Sequence, residues 1–195
     1  MILWENVVYL AGDEERQLAF NALREKIGLS AAKILAASPK ALAAVTRVAG
    51  ILPENQVKKL RRIAQIAQDE FDGDLDQILK LPLEEAKRAL KKFPAIGDPG
   101  AEKILLFCGA YRILALDSNG LRVLLRLGLG AEQKNYAAGY HSAQEAATAG
   151  LKADCAWLIG AHQLLRRHGQ NICKRAKPKC NACPLTTSCN YFQVL

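Results

Sequence analysis

Apolar residues recur at helical intervals along almost the whole chain. In residues 12–27 the pattern predicts an amphipathic helix, with Leu18, Leu23 and Ile27 on one face. Alanine and leucine dominate while aromatic residues make up only 6%, a balance that favours packed helices over sheets. We therefore predict an all-α fold. Its further helices are expected at 40–48 (capped by Ser38, with Pro39 at the first position), 56–71, 82–93, the apolar stretch ending near 110, 119–127, 132–147 and 152–168.

Length and hydrophobicity allow one domain or two small lobes, since 50% of the 195 residues are hydrophobic. No apolar run reaches membrane length. The opening apolar stretch is interrupted by Glu5 and is too short for the hydrophobic region of a secretory signal. We expect a cytoplasmic, monomeric protein with no membrane partner, associated with the nucleoid if the source is a bacterium.

Positive charge is concentrated towards the C-terminus. The formal net charge is +8, and residues 151–195 contain seven basic side chains against the single acid Asp154. A basic segment of this kind suits a polyanionic partner, because neutralised phosphates release their counterions. Ordinary surface charge that keeps the protein in solution explains the composition equally well, so charge alone leaves both interpretations open.

Four cysteines lie close together in a segment rich in proline and lysine. Cys173, Cys180, Cys183 and Cys189 are separated by six, two and five residues. Such a core-poor loop calls for a metal centre, and the unequal spacing favours a [4Fe–4S] cluster over zinc, which usually takes two tight pairs. A disulfide framework is less suited to a cytosolic protein. The other cysteines, Cys108 and Cys155, are expected to be buried thiols.

The cysteine spacing, with the preceding segment LLRRHGQNIC, resembles the cluster signature of the endonuclease III and adenine-mismatch glycosylase family. In that family the loop after the first cysteine presents basic side chains to the backbone of DNA. The resemblance implies double-stranded DNA as the partner. It assigns the DNA contacts here to Lys174, Arg175, Lys177 and Lys179.

A second segment, Phe93 to Ala101, resembles the helix-hairpin-helix consensus L-P-G-V-G-x-x-x-A. The resemblance implies that backbone groups of Ile96, Gly97 and Gly100 face a DNA phosphate at a helix N-terminus. The hairpin, over residues 82–110, departs from the consensus in having alanine at position 95. Asp98 is expected to cap the second helix, with Pro99 at its first position; together they add a negative charge and remove an amide.

The segment ALDSNGLRV resembles the family motif V-D-T-x-x-x-R-V, whose aspartate is catalytic. The match places Asp117 in that role and Arg122 on the family's DNA-binding arginine. A carboxylate beneath the sugar stabilises the cationic character that develops at C1′ when an N-glycosidic bond breaks. Asp117 is also expected to cap the helix that follows it.

The strand-cleaving members of the family carry a lysine two residues after the hairpin's second glycine, and Pro99 occupies that position here. Lyase activity by the family's Schiff-base route is therefore in doubt. Lys103 lies one helical turn further on, and helical side chains lean towards the N-terminus, so it is the candidate for a substitute amine. A solvated or paired lysine is the alternative interpretation.

The N-terminal segment ILWENVV resembles the first helix of the mismatch-specific glycosylases, which contributes a glutamate that protonates the departing base. The resemblance assigns this role to Glu5, and the alternative is a first-turn glutamate that complements the helix dipole. The loop at 50–55 corresponds to the family's wedge into the space left by the flipped base. Ile51 or Leu52 is the candidate wedge residue, unless both are core.

The resemblance extends from Ile2 to Cys189 and implies two helical lobes. One is a helical barrel, residues 11–129, which carries the hairpin. The other is an iron–sulfur cluster lobe made of residues 1–10 and 130–195, with the cluster loop at 173–189. The expected function is a monofunctional base-excision-repair DNA glycosylase. The alternatives are a bifunctional glycosylase and AP lyase that uses Lys103, and a DNA-binding homologue without catalysis.

Overall fold

The computed structural model describes residues 1–8, 12–47, 53–151 and 153–194. Every regular element in those ranges is helical, which confirms the predicted all-α class. The α-helices are α1 (Ile2–Asn6), α2 (Asp13–Lys26), α3 (Ala31–Ala36), α4 (Pro39–Thr46), α5 (Pro53–Phe71), α6 (Leu83–Leu90), α7 (Asp98–Phe107), α8 (Ser118–Leu127), α9 (Tyr136–Thr148), α10 (Cys155–Asn171) and α11 (Asn190–Gln193). Short 3-10 turns span Asp76–Lys80, Cys180–Ala182 and Thr186–Ser188.

The chain forms two compact units, Met1–Ile104 and Leu105–Leu195. The division expected from the family resemblance, with a barrel at 11–129 and residues 1–10 joined to the cluster lobe, stays a prediction. None of the helices in the described ranges is long and apolar enough to cross a bilayer.

The N-terminal unit is organised around α5, which packs against α1, α3 and α4. Its buried stripe includes Leu60, Ile63 and Ala67, at the helical spacing that the sequence predicts. At the end of α5, Phe71 stacks on Phe93 with the ring centroids 6.0 Å apart. The stripe and the stacked pair tie α5 to the turn of the hairpin.

The predicted apolar face of α2 is wrong at one position. Leu23 is fully buried, but Leu18 is 57% exposed. Five residues of an α-helix turn through roughly 500°, which places Leu18 about 140° away from Leu23. The buried neighbour of Leu23 is instead Ala19, one turn before it.

Serine side chains cap the N-termini of α3 and α4. The Ser38 hydroxyl accepts from the Ala41 amide at 3.2 Å, with Pro39 in the first turn, which confirms the predicted start of α4. Helix α3 was not predicted from the apolar pattern, because it has only six residues. The Ser30 hydroxyl caps it, accepting from the Lys33 amide at 3.4 Å.

The C-terminal unit is organised around α8, which packs against α9, α10 and α11. Its core includes Leu106, Leu114, Leu124, Tyr140 and Leu158, all less than 5% exposed. Burial of these large side chains holds α8 in place, and the N-terminus of α8 carries the candidate functional residues.

Candidate functional site

Asp117 is the N-cap residue of α8. Its Oδ1 atom accepts from the backbone amides of Asn119 at 3.0 Å and Gly120 at 2.7 Å. These are two of the amides that a helix N-terminus leaves without an intrahelical acceptor. The capping role expected from the sequence is confirmed, and it fixes where the carboxylate lies.

The backbone just before Asp117 is held by two buried side chains. The Leu116 amide donates to the Tyr140 hydroxyl at 3.2 Å, and the Ala115 carbonyl lies 2.7 Å from Nδ1 of His162. Buried hydrogen bonds of this kind are costly to break, because the separated groups would lose their partners. Asp117 therefore stands on a fixed segment rather than on a flexible loop.

The second carboxylate oxygen of Asp117 faces two donors. Oδ2 accepts from the Asn119 side-chain amide at 3.2 Å and lies 3.4 Å from Nε of Arg166. Burial, and then the negative charge of Asp117, raise the pKa of the Tyr136 hydroxyl above its ordinary value. Arg166 was missed from the sequence, because 49 residues separate it from Asp117 and no local pattern links them.

Arg122, assigned to DNA by resemblance, donates to oxygen atoms of the protein. Its Nη2 atom donates to the Asn119 side-chain oxygen at 2.9 Å and to the Gly169 carbonyl at 2.8 Å. Its Nε atom donates to the Cys173 carbonyl at 2.9 Å. The guanidinium thus joins the cap around Asp117 to the first cysteine of the cysteine loop, while its contact with DNA stays a prediction.

All four clustered cysteines line one small shared cavity. Each is a free thiol, and no three His, Cys, Asp or Glu side chains within the described ranges converge on a site for a single ion. Four thiols around a shared space fit the donor set of a cubane cluster. Cys173, Cys180, Cys183 and Cys189 would hold it.

Polar groups surround these sulfur atoms. Arg126 donates to Cys173 Sγ at 3.3 Å, and its own carbonyl accepts from the Cys189 thiol at 3.3 Å. The His168 Nε2 atom lies 3.6 Å from Cys183 Sγ, and burial lowers the pKa of this histidine below its ordinary value. Hydrogen bonds to ligand sulfur atoms and buried histidines are common beside protein metal centres.

Arg126 also fixes the backbone of the basic loop. It donates to the carbonyls of Lys174 at 2.8 Å and Arg175 at 3.2 Å, and its guanidinium lies over the Tyr191 ring at 4.3 Å from the centroid. The charged side chains of the loop point outwards, and Lys174, Arg175, Lys177 and Lys179 are all exposed. Arg126 was missed from the sequence, although it lies one turn after Arg122 on α8.

The prediction for the remaining cysteines is wrong at one position. Cys108 is exposed, because α7 ends at Phe107 and the cysteine falls in the turn that follows. Cys155 is partly buried, and its thiol lies 3.6 Å from the Tyr111 carbonyl.

The hairpin consists of α6, a turn and α7. Ala95 has a φ of +59°, a left-handed conformation that explains why the consensus has glycine there. The Ile96 side chain is only 6% exposed and its amide donates to the Phe93 carbonyl at 3.3 Å, so this residue serves the core. The Ala101 amide donates to the Gly97 carbonyl at 2.9 Å, so the cap falls on Gly97 and not, as predicted, on Asp98.

The negative charge that Asp98 brings to the hairpin is compensated locally. Its Oδ1 atom lies 2.9 Å from Lys91 Nζ and 3.8 Å from Lys87 Nζ. Lys87 is itself buried and pairs with the buried Glu102 at 3.0 Å. Burial acts to lower the pKa of Lys87, but Glu102, Glu84 and Asp98 together raise it above its ordinary value. Asp98 therefore belongs to a mixed network of ion pairs in which Lys87 and Lys91 offset its charge.

Two candidate catalytic residues of the N-terminal unit are paired with each other. Lys103 Nζ donates to Glu5 Oε2 at 2.8 Å, and both side chains are less than one-quarter exposed. The Asn6 side chain donates to the Pro94 carbonyl at 2.9 Å, which ties α1 to the turn of the hairpin. Glu5 therefore lies beside an ammonium group. Pro99 lies in the first turn of α7, and the candidate wedge residues Ile51 and Leu52 lie outside the described residues.

Some known proteins are similar to this chain in sequence. No protein-family model matches the chain. Endonuclease III of Sulfolobus acidocaldarius is 28% identical over 182 residues, which cover 92% of this chain and 76% of that protein. Endonuclease III of Rickettsia prowazekii is 34% identical over 105 residues, or 54% of this chain, and the match spans only 46% of the relative.

The fold is shared with solved structures. A thermostable thymine-DNA glycosylase superimposes with a TM-score of 0.78 at 17% identity, covering all of this chain and 83% of the other. A trapped covalent intermediate of endonuclease III with DNA gives 0.75 at 19% identity, covering 99% of this chain and 83% of the other. The chain thus has the helical fold of the helix-hairpin-helix proteins. In sequence, the chain is similar to an endonuclease III over 92% of its own length.

Proposed function

We propose that this protein is a base-excision DNA glycosylase that hydrolyses the N-glycosidic bond and leaves the sugar–phosphate chain intact. The observation that carries the proposal is the Asp117 carboxylate, held on a fixed segment at the start of α8. It follows the hairpin in the chain and is linked through Asn119 and Arg122 to the cysteine loop. Related proteins named endonuclease III and thymine-DNA glycosylase support the reaction class.

The chemistry required of Asp117 is electrostatic. As the bond between C1′ and the base breaks, the electron pair leaves with the base and the sugar becomes cationic. A carboxylate fixed near C1′ stabilises that charge, and water then adds to C1′ while its released proton neutralises the departed base. The two backbone amides that hold Oδ1 fix the carboxylate before the charge develops, which lowers the cost of reorganisation.

The proposal of a monofunctional enzyme rests on the amines near the hairpin. Schiff-base chemistry needs an uncharged primary amine, and Pro99 has none. Lys103, the substitute candidate, donates to the Glu5 carboxylate at 2.8 Å. A bifunctional enzyme would have to break this pair and deprotonate the ammonium before attack on C1′. Glu5, which lies on α1, is proposed to protonate the departing base.

A [4Fe–4S] cluster is proposed as the cofactor, held by Cys173, Cys180, Cys183 and Cys189. When bound, such a cluster supplies covalent cross-links that order the loop, without taking part in hydrolysis. Arg126 and Arg122 hold the carbonyls of Lys174, Arg175 and Cys173. The loop residues thereby present their cationic side chains together, and double-stranded DNA is the proposed partner.

Salt dependence tests the basic loop. Replacing Lys174 and Arg175 with alanine should flatten the slope of log affinity against log salt by roughly two units, because each phosphate contact contributes about 0.9. The measurement is fluorescence anisotropy on one duplex over a salt series. The matched control replaces Arg24 and Lys26, exposed residues of the last turn of α2 that carry the same total charge. Equal slopes for both double variants would show that the loop does not contact DNA.

The reaction itself is tested on a panel of duplexes that each carry one modified or mismatched base. Enzyme in excess should release a free base from at least one duplex in a single turnover. Tight binding across the panel without release of any base would contradict the proposal and favour the DNA-binding homologue without catalysis.

A further inference from the structure

We propose that Arg166 is a positioning residue for Asp117, a role that rests on the proposed glycosylase function. Arg166 Nε lies 3.4 Å from Asp117 Oδ2, and the two side chains are 32% and 23% exposed. The segment LLRRHGQNIC contains this arginine, but the family resemblance assigns it no role. The pair joins the proposed catalytic carboxylate to α10, the helix that leads into the cysteine loop.

The two oxygen atoms of Asp117 are held in different ways. Oδ1 is fixed by the backbone amides of Asn119 and Gly120, which cannot move without unwinding the start of α8. Oδ2 accepts from the side-chain amide of Asn119 at 3.2 Å and lies 3.4 Å from the Arg166 guanidinium. Rotation of the carboxylate about its bond to Cβ is therefore restrained from the Oδ2 side by Arg166 and Asn119.

Close packing of α8 on α10 fixes the position of Arg166. A Cβ atom on Gly169 would lie 2.7 Å from the Asn119 carbonyl oxygen, and one on Gly120 would lie 3.3 Å from Leu165 Cβ. A side chain at position 169 would clash with the Asn119 backbone, so the helices approach this closely because that position is glycine, whereas a Cβ at position 120 would make a tight contact. The turn 165–169 is thus locked against the N-terminus of α8, and Arg166 lies within that turn.

The positive charge of Arg166 offsets the repulsion between Asp117 and DNA. The phosphates of a bound duplex repel the Asp117 carboxylate. This repulsion disfavours the ionised form of the carboxylate and pushes it away from its position. A guanidinium carries its positive charge at every working pH and holds directional donors in one plane. At 3.4 Å it offsets the repulsion and keeps Oδ2 in place while the sugar cation forms. The Asn119 side-chain amide also donates to Oδ2.

The neighbouring residue provides a matched control. Arg167 is exposed on the same helix, and Arg166→Gln and Arg167→Gln each remove one positive charge from adjacent positions. Long-range attraction to DNA changes equally in both variants, so a difference between them reports the contact with Asp117. Arg166→Lys keeps the charge at the site but loses the planar donor.

Single-turnover release and duplex affinity are measured for the three variants, with thermal melting as a check of folding. Arg166→Gln is expected to slow release at least about tenfold relative to Arg167→Gln, with duplex affinities within about twofold. Arg166→Lys should recover at least half of that loss on a logarithmic scale. Equal rates in the two glutamine variants, or no recovery with lysine, would overturn the positioning role while the glycosylase proposal stands. Absence of base release by the wild-type protein would overturn both.

Discussion

Asp117→Asn is expected to lower the single-turnover rate of base release by about a thousandfold, the largest effect of any single change in this chain. Asparagine caps helices as well as aspartate does. Its side-chain oxygen can still accept from the amides of Asn119 and Gly120, so α8 should keep its start. The substitution therefore removes the negative charge that stabilises the sugar cation and leaves the fold and the binding of duplex DNA in place.

A second aspartate cap supplies the control. Asp154 caps α10 by accepting from the Trp157 amide at 2.8 Å, and Asp154→Asn makes the same chemical change outside the candidate site. Its release rate should stay within about twofold of the wild-type rate. An Asp117→Asn variant that releases base within tenfold of wild type would show that the carboxylate is only a helix cap.

Cys180→Ser is expected to have the second-largest effect, which is the loss of the metal centre. The wild-type protein should contain about four irons per chain and show the brown colour of an iron–sulfur protein. A hydroxyl is a poor substitute for a thiolate ligand, so the variant should lose iron and colour. Duplex affinity should fall roughly tenfold or more for every sequence, since the loop that carries Lys174 to Lys179 would lose its cross-links.

Iron and zinc are measured by elemental analysis of the purified protein, with Cys108→Ser as the control. Cys108 is an exposed thiol outside the cysteine loop, so this variant should keep its iron and its affinity. A colourless wild-type protein with one zinc ion per chain would contradict the proposed cluster. Equal iron in both serine variants would show that Cys180 is not a ligand.

The elements that the sequence predicted correctly depend on local chemistry. The stripe of α5, the serine cap of α4 and the aspartate cap of α8 follow from residues within a few positions of one another. The predictions that are wrong concern positions that a local pattern fixes only to within a residue or so. Leu18 lies about 140° around α2 from the buried Leu23, and the cap of α7 is Gly97, one residue before Asp98.

The candidate site was predictable only as separate motifs. The cysteine loop and Asp117 are visible in the sequence, but their partners come from distant positions. Glu5 and Lys103 are 98 residues apart, and Arg166 lies 49 positions after Asp117. Pairs of this kind depend on how helices pack, which spacing along the chain does not determine.

Analysis of the reaction products is the most direct test of a hydrolytic glycosylase. A duplex from which base has been released is divided, one part is treated with alkali, and a parallel reaction contains borohydride from the start. Hydrolysis predicts an unbroken strand that is cut only after alkali, together with no protein–DNA adduct, since no imine forms. Strand cleavage without alkali, with a borohydride adduct that disappears in Lys103→Ala, would contradict the monofunctional assignment and identify Lys103 as the amine of a lyase.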